Sequence, residues 1–334
     1  MRQGLKKSMS VVSLAAAMAL AAASAAADTP VTFQLNWMAG GANAGFAAAV
    51  AEGYYKEHGL DVTLVQGNGS GNTAQLVANG RAQLAYADAV AVMQLIAKGA
   101  PMKVISTVYQ SNPNAVMALQ ETNIKSVKDL VGKKVGVPSG SSQTTMLPLL
   151  LEANDLKEAD INMIDMPPAS MVPALLQKQV DAVLGSIDSY QIQAESQGAK
   201  LDVYKFADHG VPTVSTSIFA SNDFLKDNKD LVKKFVAASL KGWSFALDNP
   251  EGAVKDLKKI FPELNEQLAT AELAAITPLF CSAGAKYIGV AEEASWQKSQ
   301  ELLSEVKLLP TGQDPHSYYS NDYLPEASQL RACK

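Results

Sequence analysis

Cysteine and histidine are scarce in this 334-residue chain, which holds two Cys (Cys281, Cys333) and three His (His58, His209, His316). So few and so scattered, they lack the spacing of a metal site, and neither a metal nor another cofactor is expected. None of the three His stands beside a Ser or Cys signature of a nucleophilic triad, which removes the main support for a hydrolytic enzyme. Positive charge is short as well. The 28 Lys and Arg are outnumbered by 33 Asp and Glu, for a net charge of −5. With no basic cluster to offset that balance, nucleic acid is not an expected partner. Beyond the N-terminal segment the chain also lacks an apolar run of the ~20 residues needed to span a bilayer, an internal repeat and a low-complexity stretch.

What is present begins with an address. Arg2, Lys6 and Lys7 precede an apolar, alanine-rich stretch from Val11 to about Ala23, and residues 22–27 supply the small side chains that a signal peptidase reads. Segment 1–27 therefore predicts a cleaved export signal, with no Cys near the cut to carry a lipid anchor. Its removal takes away three positive charges and leaves 307 residues with a net charge of −8, a length that suits two lobes with separate cores. In an oxidising compartment Cys281 and Cys333 are expected to pair, pinning the C-terminal tail to the body of the protein.

From Asp28 onward, short apolar runs alternate with helical patterns, the signature of α/β sheets with parallel strands. Strands are predicted at 31–36, 61–65, 83–86 and 102–109, with helices at 44–58, 72–79 and 89–98 between them. Turn-formers at Ser111-Asn112-Pro113-Asn114 then open a second unit, with strands at 133–137, 161–165, 182–184 and 201–206 and helices reaching Ala153, at 170–178 and at 189–197. An apolar strand at 214–220 returns, and helices follow at 226–248, 250–260, 265–276 and 292–305. This order implies one lobe (28–111 and 213–334) interrupted by a second (112–212). Two strand-like crossings, near Tyr109–Asn114 and His209–Ser215, would then act as a hinge. Ligands are expected in the crevice at the C-terminal ends of the parallel strands.

Candidate binding residues follow from those strand ends. Asn36 and Trp37 end the first strand and offer a polar edge and a flat face; Asn43 precedes the next helix as a cap or a second polar contact. Ser70 and Asn72, in the loop from Gly67, can contact ligand or cap a helix. Asp88 can accept from a ligand NH or cap the helix at Ala89. In the second unit, Ser139, Ser141, Ser142 and Gln143 bring hydroxyls and free amides to a helix start, an arrangement suited to an anionic group. Asp188 and Tyr190 end another strand, and Tyr109 lies at the hinge, with Gln110 and His209 as weaker candidates. The tyrosines of Glu52-Gly53-Tyr54-Tyr55-Lys56 are expected to pack their lobe rather than touch ligand.

Several segments carry a resemblance: Leu35-Asn36-Trp37, residues 51–62, residues 80–85, Lys128-Asp129-Leu130-Val131-Gly132-Lys133-Lys134-Val135-Gly136, and Val180-Asp181-Ala182-Val183-Leu184-Gly185. Together and in this order they resemble the substrate-binding proteins of ABC importers of the nitrate/taurine/sulfonate and thiamine-pyrimidine type. The resemblance implies a type II periplasmic binding-protein fold, two α/β lobes joined by a two-strand hinge with ligand in the cleft. It also implies a periplasmic protein, expected as a monomer, that delivers a small planar or anionic molecule to an ABC permease without acting on it chemically. Pyrimidine-precursor binders usually carry Asn-His soon after Leu-Asn-Trp, and an acid where this chain has Gln191; here Ala42-Asn43 stands in the first place. Two other functions share the fold. One is a pyrimidine-precursor enzyme, which needs a Cys-rich iron motif that this chain, with no Cys before Cys281, does not have. The other is a ligand-sensing subunit of a membrane receptor.

Overall fold

The computed structural model describes residues 27–281 and 284–333; the expected export signal, apart from Ala27, lies outside them. Two five-stranded mixed sheets form the scaffold. The first contains β1 (Thr29–Gln34), β2 (Leu60–Val65), β3 (Leu84–Asp88), β4 (Met102–Thr107) and, after a long excursion, the returning strand. Helices α1 (Ala44–Ala51), α2 (Ser70–Ala78) and α3 (Ala89–Ala97) link its strands. The second sheet contains β5 (Asn114–Leu119), β6 (Lys134–Pro138), β7 (Asn162–Met166), β8 (Ala182–Ser186) and β9 (Leu201–Lys205), with α4 (Ser142–Ala153), α5 (Met171–Leu176) and α6 (Ile192–Ser196). The chain returns as β10 (Thr216–Ser221) and ends in α7 (Asn222–Asp227), α8 (Lys229–Asp248), α9 (Pro250–Ile260), α10 (Glu266–Ile276) and α11 (Glu293–Glu305).

Strand order is β2-β1-β3-β10-β4 in one sheet and β7-β6-β8-β5-β9 in the other. Strands β1, β2 and β3 run parallel, as do β6, β7 and β8. In each sheet the antiparallel member is the strand that has just crossed from the other lobe, β10 in the first and β5 in the second. The lobes are thus built alike, each wedging a visiting strand into a parallel core.

Three elements depart from the sequence expectation. The helix expected over 44–58 stops at Ala51, because Gly53 takes a left-handed conformation (φ 76°) that ends the helical path. A second break, at Asn228, separates α7 from α8 where one helix was expected. Strand β5 had no counterpart at all. All six of its residues, Asn-Ala-Val-Met-Ala-Leu, are buried, so it shows no alternation for a period-2 reading to detect. The tyrosine expectation holds. Tyr55 is buried, stacks on Phe235 with ring centroids 5.1 Å apart, and shares a 2.8 Å hydrogen bond with Ser239.

The two crossings lie against each other. Ser215 N donates to Tyr109 O (3.1 Å), Val108 N and Tyr109 N both donate to Thr216 O (3.1 Å), and Asn112 Nδ2 donates to Val211 O (2.8 Å) and Thr213 Oγ1 (3.2 Å). Away from this hinge, the lobes also meet directly, where Gly71 N donates to Gly140 O (3.0 Å). Cys281 and Cys333 form a disulfide with Cα atoms 5.4 Å apart. The tail it secures runs along the sheet edge, with Val104 N donating to Tyr318 O and Ser320 N to Val104 O (2.9 Å each). Among the described residues no helix is long and apolar enough to cross a membrane.

Candidate functional site

A cavity of about 240 Å³ lies between the lobes, somewhat below the roughly 300–1,000 Å³ of drug-sized ligand pockets. Its walls come from the C-terminal ends of the parallel strands. Asn36 and Trp37 follow β1, Asp88 ends β3, Ser141 to Gln143 follow β6, Pro168 follows β7, Ser186 ends β8 and Asp188 follows it. The hinge adds Tyr109, Asn114, Ser215 and Thr216, and α10 adds Leu268 and Glu272.

Of the residues singled out from sequence, Asn36, Trp37, Ser70, Asp88, Tyr109, Ser141, Ser142, Gln143, Asp188 and Tyr190 all line this cavity. Trp37 is half-buried and meets Tyr190 edge-on, centroids 6.1 Å apart, across the lobe boundary. Ser70 is not a helix cap. Its Oγ accepts from Asp88 N (3.1 Å) and Asn36 Nδ2 (3.4 Å), which leaves its own proton free to point elsewhere. Asp88 caps α3, its Oδ1 accepting from Val90 N (2.9 Å), and it also lines the cavity, with Oδ2 accepting from Ser215 Oγ (2.8 Å).

Asn43, Asn72, Ser139, Gln110 and His209 do not line the cavity. Asn43 is fully buried behind it, its Oδ1 accepting from Gly40 N (3.3 Å), because the short 3-10 turn over Gly41–Asn43 rolls the side chain inward. Ser139 sits exposed on the outer side of its turn and donates to Asp165 Oδ1 (2.6 Å), so neighbouring β7 takes its hydroxyl. Ser141 Oγ accepts from Thr144 N (3.2 Å) as an ordinary cap of α4. Gln110 and His209 bond to backbone carbonyls away from the site, and Gln191 turns to Glu195 (2.9 Å).

Sequence reasoning missed Tyr86, Asn114, Ser215, Thr216 and Glu272. Ser215 and Thr216 are legible in hindsight as the start of the return strand at the crossing. Tyr86 sits in a strand with every residue buried, and Glu272 lies on a helix whose sequence has no feature marking its inner face.

The electrostatics are one-sided. Asp88, Asp188 and Glu272 line the cavity, with no Lys, Arg or His beside them. Burial pushes the Asp88 carboxyl up to about 6, against the opposing hydrogen bonds from Ser215 and Val90. Burial pushes Glu272 up to about 7, the Gly41 amide opposing and the charge of Asp188 adding to the rise. Asp188 is raised by burial too. It lies second in the wide helical turn Ile187–Gln191, where the Ser186 side chain and its own backbone N–H oppose that rise, and its Oδ1 is buried without a hydrogen-bond partner. The buried Tyr86 hydroxyl is also unpartnered. Such orphaned polar atoms are uncommon in folded proteins and mark where a bound molecule can complete the bonding.

Two parallel-stranded lobes, a double crossing and a cavity between them define the substrate-binding-protein fold of ABC importers. Residues 42–253 match the NMT1/THI5-like family, and the chain belongs to it. The riboflavin-binding protein RibY of Chloroflexus aurantiacus is 27% identical over 308 residues, covering 89% of this chain and 87% of that one. The 4-amino-5-hydroxymethyl-2-methylpyrimidine phosphate synthase THI11 of Saccharomyces cerevisiae is 24% identical over 314 residues, 90% of each chain. Among solved structures, the alkanesulfonate-binding protein SsuA of Xanthomonas axonopodis pv. citri, bound to MOPS, superposes with a TM-score of 0.70 at 16% identity. That match covers 89% of this chain and 99% of that one.

Proposed function

We propose that the protein is a periplasmic solute-binding protein, released from a cleaved signal and acting as a monomer. It captures a small planar organic molecule between its lobes and presents the closed form to an ABC permease. The observation that carries this reading is the cavity at the lobe junction. It combines aromatic faces (Trp37, Tyr190) with polar groups left unpartnered (Asp188 Oδ1, Tyr86 OH) and sits beside a two-strand hinge. The lining holds no His, Cys or Lys, and we read its carboxylates, hydroxyls and aromatic rings as groups that hold a ligand. The synthase relative keeps an enzymatic reading in view, but it finds no support in the cysteines or histidines of this chain. A receptor-docked sensor would use the same cavity and differ only in its membrane partner.

Native mass spectrometry of the protein purified without denaturation is expected to show one small molecule per chain. That molecule, extracted and titrated back, should quench tryptophan fluorescence, and Trp37→Ala should weaken its binding at least tenfold, about 1.4 kcal/mol. A protein that carries nothing from a full cell extract and shows no quenching would defeat the capture reading. Unchanged affinity in Trp37→Ala would remove that side chain from the site.

A further inference from the structure

We propose that the molecule taken into this cleft is an organic cation: a flat, protonated nitrogen base whose N–H groups meet Asp188 and Glu272 across the lobe boundary. This deepens the capture reading and rests on it. Three observations carry the assignment.

The first is the charge of the walls. Both lobes contribute acids, Asp88 and Glu272 from one and Asp188 from the other, and no basic side chain lines the cavity. Closure brings these groups together and out of water. A carboxylate buried without a partner is strongly unfavourable, so the empty closed form must leave a charge unpaired or take up protons. A cation removes that penalty, because it supplies the missing countercharge. An anion would meet the same three acids with only the starts of α2 and α4 in its favour, each a partial charge of roughly half a unit. Ser139, which would have strengthened that seat, is bonded to Asp165 instead.

The second observation is independent of the acids' number. Asp188 is 7% exposed and its Oδ1 has no hydrogen-bond partner, whereas Asp88 has both its oxygens engaged, by Val90 N and Ser215 Oγ (2.8 Å). Glu272 uses Oε2 to accept from Gly41 N (2.7 Å). The open acceptor positions therefore fall on Asp188 and Glu272, one on each side of the cleft. Tyr86 OH, 1% exposed and beside Tyr109 and Thr216, adds a neutral group to the same wall. Charge-assisted N–H bonds to carboxylates are the strong class of hydrogen bond, and a planar N–H fork matches a carboxylate in shape.

The third is that the positive charge must be spread over an organic frame. Among the described residues no three His, Cys, Asp or Glu side chains are grouped so as to hold a metal ion. The remaining walls include the rings of Trp37, Tyr86, Tyr109 and Tyr190, surfaces that hold a flat cation by stacking and by cation–π attraction.

Three probes of one shape and different charge test this: benzamidine (cationic), benzamide (neutral) and benzoate (anionic), titrated by calorimetry into the full mature chain after removal of any co-purified molecule. Benzamidine is expected to bind at least tenfold tighter than benzamide, and benzoate not at all. In Asp188→Asn and in Glu272→Gln the advantage of benzamidine over benzamide should shrink to threefold or less. Two variants are used so that misfolding of one, seen by circular dichroism, leaves the other to decide. The proposal is overturned by benzamide or benzoate binding as tightly as benzamidine, by a preference that survives in both variants, or by none of the three binding. Native mass spectrometry separates this failure from failure of the capture reading. A neutral or anionic molecule found in the purified protein sinks the charge assignment and leaves capture standing, whereas an empty protein that binds no probe sinks both.

Discussion

Glu272 shows what the cleft costs the protein when it is empty. Its carboxyl, an ordinary 4.5 when free, is pushed to about 7 mainly by burial, with Gly41 N facing one oxygen and Asp188 approaching from the other lobe. Between those two values the folded protein holds a proton that the unfolded chain has released. Folding is therefore favoured at low pH, and the advantage is lost as pH rises through about 7. Asp88 acts in the same direction, its stabilisation lost as pH rises from the ordinary 3.8 through about 6. Stability of the empty protein is thus expected to fall between pH 4 and pH 8. Glu272→Gln, which keeps an acceptor for Gly41 N but cannot ionise, should be more stable than wild type at pH 8 by on the order of 2 kcal/mol. It should show no gain at pH 4. Urea unfolding at both pH values measures this, and an equal effect at the two would mean that Glu272 acts through packing rather than charge.

At the scale of elements, the turn between β6 and α4 does more than start a helix. Gly140 holds φ at 69°, its carbonyl accepts from Gly71 N of the other lobe, and a Cβ placed there would come within 2.5 Å of the Asn72 side chain. Gly140→Ala therefore carries two penalties. The left-handed backbone costs about 1 kcal/mol whether the cleft is open or shut, whereas the clash with Asn72 exists only when it is shut. Since apparent affinity scales with the fraction of competent protein, binding of the co-purified molecule should weaken roughly tenfold, with a larger radius of gyration in solution scattering. Adding Asn72→Ala should restore most of the affinity while leaving the loss of stability. No recovery would mean that the contact does not control closure. This turn also shows the reach of sequence reading. The order of elements, the strand ends that carry the site and the helix starts were legible, because each is written in local periodicity and turn chemistry. Partners were not. Asn72 was read as a ligand contact or a cap, yet its Nδ2 donates to Asn68 Oδ1 (3.2 Å); Ser139 was read as a ligand hydroxyl, yet β7 takes it. Glu272 and Tyr86 reach the cavity through tertiary packing, and β5, buried on both faces, gives no alternation to read.

For the molecule as a whole, the disulfide joins the site-bearing helix to the end of the chain. Cys281 follows α10 after a single 3-10 turn, Thr277–Leu279, whose Leu279 O accepts from Gln110 N at the hinge (2.8 Å). Cys333 closes the tail across 52 residues that include α11, the strip paired with β4, and Trp296, whose Nε1 donates to Thr107 Oγ1 (3.1 Å). A loop of that size gives a chain-entropy stabilisation of about 4 kcal/mol as an upper figure. Replacing both cysteines by serine, or reducing the bond, should therefore cost about 2–4 kcal/mol of unfolding free energy. Ligand affinity answers a different question. Neither cysteine lines the cavity, and α10 remains fixed without the disulfide by the Gly41–Glu272 and Gln110–Leu279 hydrogen bonds on either side of Leu273. Below the melting transition the double-serine protein should bind its co-purified molecule within about threefold of wild type, under 0.7 kcal/mol. Denaturant unfolding and calorimetric titration of the same samples compare the two quantities. A loss of affinity as large as the loss of stability would mean that the covalent tail, rather than these two hydrogen bonds, holds Glu272 against the cleft.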